Sequence, residues 1–481
     1  MEMANLLSRR PLLESPPDGR VSLDRVRRRI SVLALVRHGQ PLRPLLLDVV
    51  GRAVDGWHEL GEQPLELGKG ALDALLRGVE LGRAALRPLL HQVAELGEAG
   101  GAEQLAQHPL PLGRRRPQEA LELAHQWWLS ASDTEHLRRH VQPLTLALDR
   151  WDGAVPCTGT PISAQIPCPD SAPNDLTVIG ADGSQIFPDR HALVLYYLLQ
   201  VGAVIFRYTG EAPDTHTREW LHYDERELYD RNGYLIGSDT LGMERTVKEM
   251  EVLADITAQE RKRSPARVLS LTDGPLLWPY LERGHSASAA LQAYLSALRG
   301  VQQSGGVAVG YVDRPGGRPL LELLWADQLA PEDLASKAGD NPLSVLTDYD
   351  LMAHSLAPGA RTTWFTRPTA TNQRHAGEGQ EVWFYYLNLS LGPGDAIARI
   401  EVPAWAAADE TAMTALHGAL RHQASVLNGY PYILARAHEE ALVTTQDKTA
   451  LEAAIQRELA ESGIFAQPSE KARQKLLLGR R

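Results

Sequence analysis

Cysteine is almost missing from this chain. Of 481 residues only Cys157 and Cys168 carry a thiol, and both lie in a Pro/Ser/Thr-rich stretch. Two thiols cannot complete a four-ligand zinc site, and neither Cys-x2-Cys nor His-x3-His spacing lies near them. They are expected to be free thiols of a reducing cytoplasm. No apolar run approaches the roughly 20 residues of a membrane-spanning helix. The N-terminal arginines lead into no clean apolar stretch with a small-residue cleavage site, so no secretory signal is expected. Basic charge is not in excess either: Lys and Arg number 49 against 60 Asp and Glu, a net charge of -11. That balance weighs against a nonspecific duplex coat. It leaves room for an enzyme whose clustered carboxylates hold cations beside a locally basic groove. No Gly-x4-Gly-Lys-Ser/Thr phosphate loop is present, so the chain is not itself expected to be an ATPase. What remains is an ordinary globular composition, 43% hydrophobic and 23% charged, with length for about two to three domains.

Four regions are expected. Residues 1–118 are rich in Leu, Arg, Gly, Glu and His, hold a single lysine, Lys69, and show no chemistry. Two readings stand for them: a loosely helical or disordered extension, or a true start downstream, near Pro117. Residues 119–175 begin with an amphipathic helical pattern over 119–150, in which Trp127 and Trp128 fall at packing positions. They continue into a Pro-rich linker at 151–175. Residues 176–445 read as an α/β domain. Strands are predicted from Leu176 and at 198–208, 217–223, 267–272 and 306–312, then near 361–366, 381–388 and 396–403. Helices are predicted at 238–262, 286–303, 407–427 and 431–443. The last region, 446–481, is a helix to about 462 followed by a charged tail.

Two phrases carry chemistry: Ile179-Gly-Ala-Asp182-Gly-Ser184 and Leu269-Ser-Leu-Thr-Asp273-Gly-Pro-Leu276. Each is an apolar strand whose last residue is an aspartate followed at once by glycine. A side chain at a strand's C-terminal end emerges at the sheet edge, where a ligand has room. Asp-Gly alone is a common turn dipeptide; two such endings make a better signal. On neighbouring strands the two carboxylates would repel. A hard divalent cation such as Mg²⁺ or Mn²⁺ relieves that conflict. Between the strands the helix around Arg245-Thr-Val-Lys-Glu249-Met-Glu251 supplies a further carboxylate. Glu249 and Glu251 are two apart and cannot share a face, so one of them is expected to point at the aspartates. Finally, Tyr430-Pro-Tyr-Ile-Leu-Ala-Arg436-Ala-His438 places a tyrosine and a histidine a little over two turns apart.

The order of strand-Asp, hairpin strands, helix-Glu, strand-Asp, helix, strand and late helix-His resembles the ribonuclease H-like nuclease plan, and more narrowly the NurA family. The phrases that carry this are 179–184, 245–249, 271–276, Arg-Ile-Glu-Val-Pro at 399–403 and 430–438. Together they span about residues 176–445. The resemblance implies a mixed sheet flanked by helices, here with additional helical N- and C-terminal regions. It implies a Mn²⁺- or Mg²⁺-dependent DNA nuclease, a 5′-to-3′ exonuclease that also cuts single strands internally, acting in end resection as a homodimer docked on a hexameric HerA-type ATPase. Asp182 and Asp273 match the family's metal aspartates, Glu249 (or Glu251) its helical glutamate, and Tyr430 and His438 its late Tyr and His; the mechanism expected is two-metal hydrolysis, with His438 as water base or second-ion ligand and with Tyr430 and the Ser184 backbone N–H on phosphate oxygens. Arg245, Lys248, Arg314 and Arg436 are the candidate DNA contacts. Trp364, Phe365, Trp383 and Tyr385 are expected to be strand core, with base stacking as the other reading. Two alternatives remain open: an inactive adaptor of the same fold, and a phosphohydrolase of small phosphate esters. Against the latter, Asp182 is followed by Gly-Ser and not by the second aspartate of an Asp-x-Asp nucleophile motif. Purified protein is expected to release no phosphate from ATP; measurable turnover in a coupled phosphate assay would overturn that reading.

Overall fold

In the computed structural model the described residues are 117–461, apart from 147–150, 170–173, 193, 231–232, 281–283 and 392–395. The chain divides into two units, Met1–His108 and Pro109–Arg481, and all the described residues belong to the second. The extension expected at 1–118, all but its last two residues, and the charged tail from 462 lie outside the described residues.

The helical pattern at 119–150 forms two helices, α1 (Pro117–Ser130) and α2 (Thr134–Thr145). The break has a local cause. Asp133 Oδ1 accepts the N–H groups of Glu135 at 3.1 Å and His136 at 2.9 Å, an N-cap that starts a new helix. Trp128 is buried and Trp127 stacks on Trp325, so the paired tryptophans serve packing. The stretch expected as a linker is partly built in: β1 (Val155–Pro156) pairs antiparallel with β7 (Phe365–Thr366), and Trp151, Ala154 and Ile162 are buried. Its prolines disguise it, since proline is tolerated in a strand only at a sheet edge, and β1 is the edge.

The centre is a nine-stranded mixed sheet in the order β1-β7-β8-β9-β6-β5-β2-β3-β4. Its strands are β2 (Leu176–Ile186), β3 (Tyr197–Arg207), β4 (Asp214–His222), β5 (Arg267–Asp273), β6 (Gly306–Asp313), β8 (Val382–Asn388) and β9 (Ile397–Pro403), with the two short strands above. β2, β5 and β6 run parallel to one another, and the remaining neighbours are antiparallel. The connections follow the ribonuclease H-like order: a strand, two hairpin strands, the helices α3 (Glu225–Leu228) and α4 (Ser238–Arg263), β5, helix α5 (Gly284–Gln303) and β6. The strands expected at 198–208, 217–223 and 306–312 correspond to β3, β4 and β6. Of the strand expected near 361–366 only β7 pairs as such, with Arg361 in isolated bridges.

The irregular middle holds helices that periodicity did not reveal: α6 (Pro319–Asp327), α7 (Leu334–Lys337), α8 (Asp348–Ser355) and α9 (Ala370–Gly377). Their concealment is physical. α6 buries Pro319, Leu320, Leu321, Leu323, Leu324 and Ala326, and a helix apolar all round has no stripe to detect. The amides of its first turn are met from a distance: buried Asp348 accepts the N–H of Leu320 at 2.9 Å and of Leu321 at 3.1 Å, and the Tyr386 hydroxyl at 2.6 Å. After β9 come α10 (Ala404–Ala407), α11 (Glu410–Val426), α12 (Tyr432–Ala441) and α13 (Thr445–Glu461).

Helices cover both faces. α11 and α12 lie on one face over Val178, Val204, Leu271, Tyr311 and Ile400. On the other, α4 and α5 lie over Ile179, Ala181, Val201 and Ala308, while α1, α2, α6 and α8 cover the β7-β8 end. Strands covered twice read as continuous apolar runs, which is why β2, β3 and β5 are plain in the sequence. Trp364, Phe365 and Tyr385 are buried among them, and Trp383 packs at the margin of the same core.

α12 sits against bare backbone. A Cβ on Gly180 would stand 3.0 Å from the Ile433 carbonyl oxygen, and one on Gly202 would stand 2.3 Å from the Ala441 nitrogen. Gly202→Val is therefore expected to lower stability by about 1–3 kcal/mol through overpacking. An unchanged urea midpoint would show that α12 does not rest on β3.

Candidate active site

Strand register sets the site. β2 and β5 are parallel neighbours with Ala181 opposite Thr272, so Asp182 and Asp273 follow side by side, on strands about 4.8 Å apart. Alternation sends both toward α12, the side faced by Gly180 and Leu271. There each finds a partner. His438 Nδ1 donates to Asp182 Oδ2 at 2.6 Å, and the Tyr430 hydroxyl donates to Asp273 Oδ2 at 2.9 Å. A carboxylate only accepts, so the His438 proton is assigned to Nδ1 and Nε2 is left as the lone-pair nitrogen.

Glu249 comes from the opposite face, on α4. Gly183 admits it: a Cβ there would lie 2.4 Å from Glu249 Oε1. The side chain is 9% exposed and its Oε1 lies 3.1 Å from Arg245 Nε, but Oε1 makes no hydrogen bond. Glu251 instead pairs with Lys248 at 2.8 Å and is 40% exposed. The geometry thus separates the two glutamates, bringing Glu249 toward the aspartates and leaving Glu251 toward solvent.

The electrostatics follow from crowding. Burial first, then the charges of Asp182 and Asp273, push the Glu249 carboxyl up to about 8, against the opposing pull of Arg245. Burial likewise raises Asp273, with Asp182 and Asp313 adding to the shift and the Tyr430 bond opposing it. The hydrogen bond to Asp182 raises His438, partly offset by desolvation.

Two contributors were not foreseen. Asp313 ends β6 on the same face as Asp273, since Tyr311 is the register partner of Asp273; burial raises its carboxyl while Arg314 opposes this. Its signal was present, an apolar strand ending in aspartate, but arginine and not glycine follows it. Buried Glu401 holds the turn after Asp273. Its Oε2 accepts the N–H groups of Leu276 at 2.8 Å and Leu277 at 3.0 Å, while Oε1 accepts Arg399 Nε at 2.9 Å. Gly310 lets that turn lie flat on β6, as a Cβ there would stand 2.5 Å from the Leu276 nitrogen. The phrase at 399–403 contained Glu401, but nothing in the sequence joined it to residue 276.

The candidate DNA contacts are dispersed. Arg245 adjoins the site, and its Nη1 donates to Gln185 Oε1 at 3.0 Å. Lys248 lies over Trp220 at 5.3 Å. Arg314, at positive φ 43, lies over Tyr349 at 5.1 Å beside Asp313. Arg436 pairs with Glu439 on α12. The Ser184 hydroxyl donates to the Ala441 carbonyl at 2.5 Å, fixing the end of α12.

Carboxylate oxygens and an imidazole suit a hard divalent cation, and the buried, unbonded Glu249 Oε1 is a donor atom of that kind. In this structure the acids are turned to internal partners, and among the described residues no group of three or more His, Cys, Asp or Glu is closed to ligating geometry. No helix among them is long and apolar enough to cross a membrane.

A ribonuclease H-like sheet with acidic residues gathered at the C-terminal edge of its parallel strands defines a class of nuclease-type proteins. The NurA domain matches residues 176–443, and the chain belongs to the NurA family. Membership implies a nuclease-type function on DNA. Among solved structures, a crystal structure of NurA is similar at 12% identity, covering 60% of this chain and 90% of that one, with a TM-score of 0.30. A crystal structure of NurA with manganese gives 12% identity, 60% and 91% coverage and a TM-score of 0.29. Marinitoga piezophila Argonaute in complex with 5′ OH guide RNA gives 12% identity, 57% and 31% coverage and a TM-score of 0.27. These superpositions are loose, and membership rests on the domain match. No curated protein matches the chain.

Glu249 makes metal-free stability pH-dependent. Its folded-state value, about 8, lies above the ordinary 4.5, so its contribution is complete below about 4.5 and is lost as pH rises through about 8. In EDTA, Glu249→Gln is expected to flatten the fall in melting temperature between pH 5 and 8 and to melt above the wild type at pH 8. Parallel pH profiles for the two proteins would contradict this.

Proposed function

We propose that the chain is a divalent-metal-dependent deoxyribonuclease whose centre is Asp182, Asp273, Glu249 and His438, with Tyr430 beside it, within a nuclease unit of residues 176–445. The observation that carries the proposal is the convergence of Asp182, Asp273 and Glu249 from β2, β5 and α4 upon one sheet edge, where burial and then the neighbouring carboxylates raise the Glu249 and Asp273 carboxyls. Asp182, Asp273 and Glu249 would hold Mn²⁺ or Mg²⁺, with His438 as a further ligand or as the base. One or two such ions would supply Lewis-acid stabilisation of the developing phosphate charge and a more acidic water.

The chain's own residues do the rest. His438 is held by Asp182 through Nδ1, which orients Nε2 to accept a proton from the attacking water, and the carboxylate stabilises the imidazolium formed. Tyr430 fixes Asp273, and its hydroxyl is free to donate to a phosphate oxygen once that acid is otherwise engaged. Arg245, Lys248, Arg314 and Arg436 are proposed to meet the DNA backbone. The activity proposed is 5′-to-3′ exonucleolytic with single-strand endonucleolytic cutting, in break-end resection. A homodimer docked on a hexameric HerA-type DNA translocase is the assembly proposed. Family membership supports this reading.

The test is cleavage of a labelled single-stranded oligonucleotide with Mn²⁺, Mg²⁺ or EDTA. Mn²⁺-dependent cutting is expected, abolished by EDTA and reduced on the order of 10²-fold or more in Asp182→Asn and Asp273→Asn. Full activity in both variants would remove the assignment. Silence of the wild type with both metals, and with the translocase added, would leave an inactive adaptor as the better account.

A further inference from the structure

Arg245 is drawn onto the carboxylate that a metal at this site would need. Its Nε lies 3.1 Å from Glu249 Oε1, yet neither atom makes a hydrogen bond. The charges touch without donor alignment. The outer end of the guanidinium is aligned: Nη1 donates to Gln185 Oε1 at 3.0 Å, and the side chain is 32% exposed against 9% for Glu249. Gly183 makes the contact possible, since a Cβ there would stand 2.4 Å from Glu249 Oε1 and 2.7 Å from Arg245 Cγ. A buried carboxylate is thus met by a cation tethered four residues earlier on the same helix, one turn away, with its head toward the open edge of β2.

We propose that Arg245 is a tethered stand-in cation: in the metal-free protein it occupies the flank of Glu249 that a divalent ion would take, competes with that ion for the carboxylate, and when displaced turns its guanidinium to a DNA phosphate. This rests on the nuclease reading above. A guanidinium does not lose its proton, so it yields the site only by swinging away. The misaligned contact makes that exchange cheap, because the planar donor fork is better satisfied by two phosphate oxygens than by the flank of Glu249. A pair that served only to hold Glu249 in place would behave oppositely. Removing the arginine would then loosen the carboxylate and weaken metal binding.

The measurement is Mn²⁺ uptake by the full chain without DNA, followed through the EPR signal of the free ion, for wild type, R245Q, K248Q and E249Q. R245Q is expected to bind Mn²⁺ roughly three- to tenfold more tightly, the size of a coupling between two ligands sharing one site. K248Q removes an equal charge that rests on Glu251, and is expected to shift affinity by less than about twofold, as a surface charge does. At saturating Mn²⁺, R245Q is expected to cleave the oligonucleotide about tenfold or more slowly and to show a shallower salt dependence of DNA binding. If R245Q folds poorly, Arg245→Met keeps the aliphatic stem over Gly183 and carries the same expectation. Mn²⁺ affinity unchanged or weakened in the arginine variants, beside a wild type that binds the ion, overturns the stand-in role and leaves the nuclease reading intact. A wild type that takes up no Mn²⁺, and matches E249Q in this, overturns both.

Discussion

Everything at this site depends on how closely two helices approach one strand from opposite sides. β2 gives up side chains on both faces: Gly180 beneath α12 and Gly183 beneath α4. Without the first, α12 would ride higher and His438 would not reach Asp182. Without the second, Glu249 could not come round the end of the sheet. Backbone-to-helix contact is close packing at its limit, and here it brings acids from three separate elements onto one edge.

Such convergence is costly in the metal-free protein. Three acids are crowded in one place, and each is turned to a local partner: Asp182 to His438, Asp273 to Tyr430, Glu249 to Arg245. Those partners explain how a sheet edge with this composition can fold before any cation arrives. They also define what must rearrange for one to bind. The third partner is the least well aligned, and it is the one that faces outward.

Behind the edge, Glu401 supplies rigidity that is not itself chemistry. Buried on β9, it takes up the amides of residues 276 and 277 and is neutralised by Arg399 along its own strand. A charged acceptor for two backbone donors is a strong anchor. It fixes the turn that follows Asp273, so the aspartate emerges from a braced strand end.

The sequence alone showed a good part of this. Apolar runs before Asp-Gly mark β2 and β5, because strands buried on both faces leave continuous hydrophobic text; Asp273 does end β5, whereas β2 runs on past Asp182 to Ile186, still paired with β3. The spacing of Tyr430 and His438 suggests one helical face, but Tyr430 precedes α12 and only His438 lies on it; the phrases at 179–184, 245–249 and 271–276 resemble one family. Where periodicity is absent the sequence was silent: α6, apolar all round, and β1, concealed by proline, were missed. Asp313 carried the same strand-ending signal and was passed over for lack of a following glycine. Local patterning therefore determined the elements and most of the candidate residues. Only the tertiary structure decided which of Glu249 and Glu251 turns inward, that Glu401 braces residue 276, and that Arg245 lies on Glu249. Those are contacts between chain segments whose proximity is set by strand register and by the absence of a Cβ, and no one-dimensional spacing encodes either.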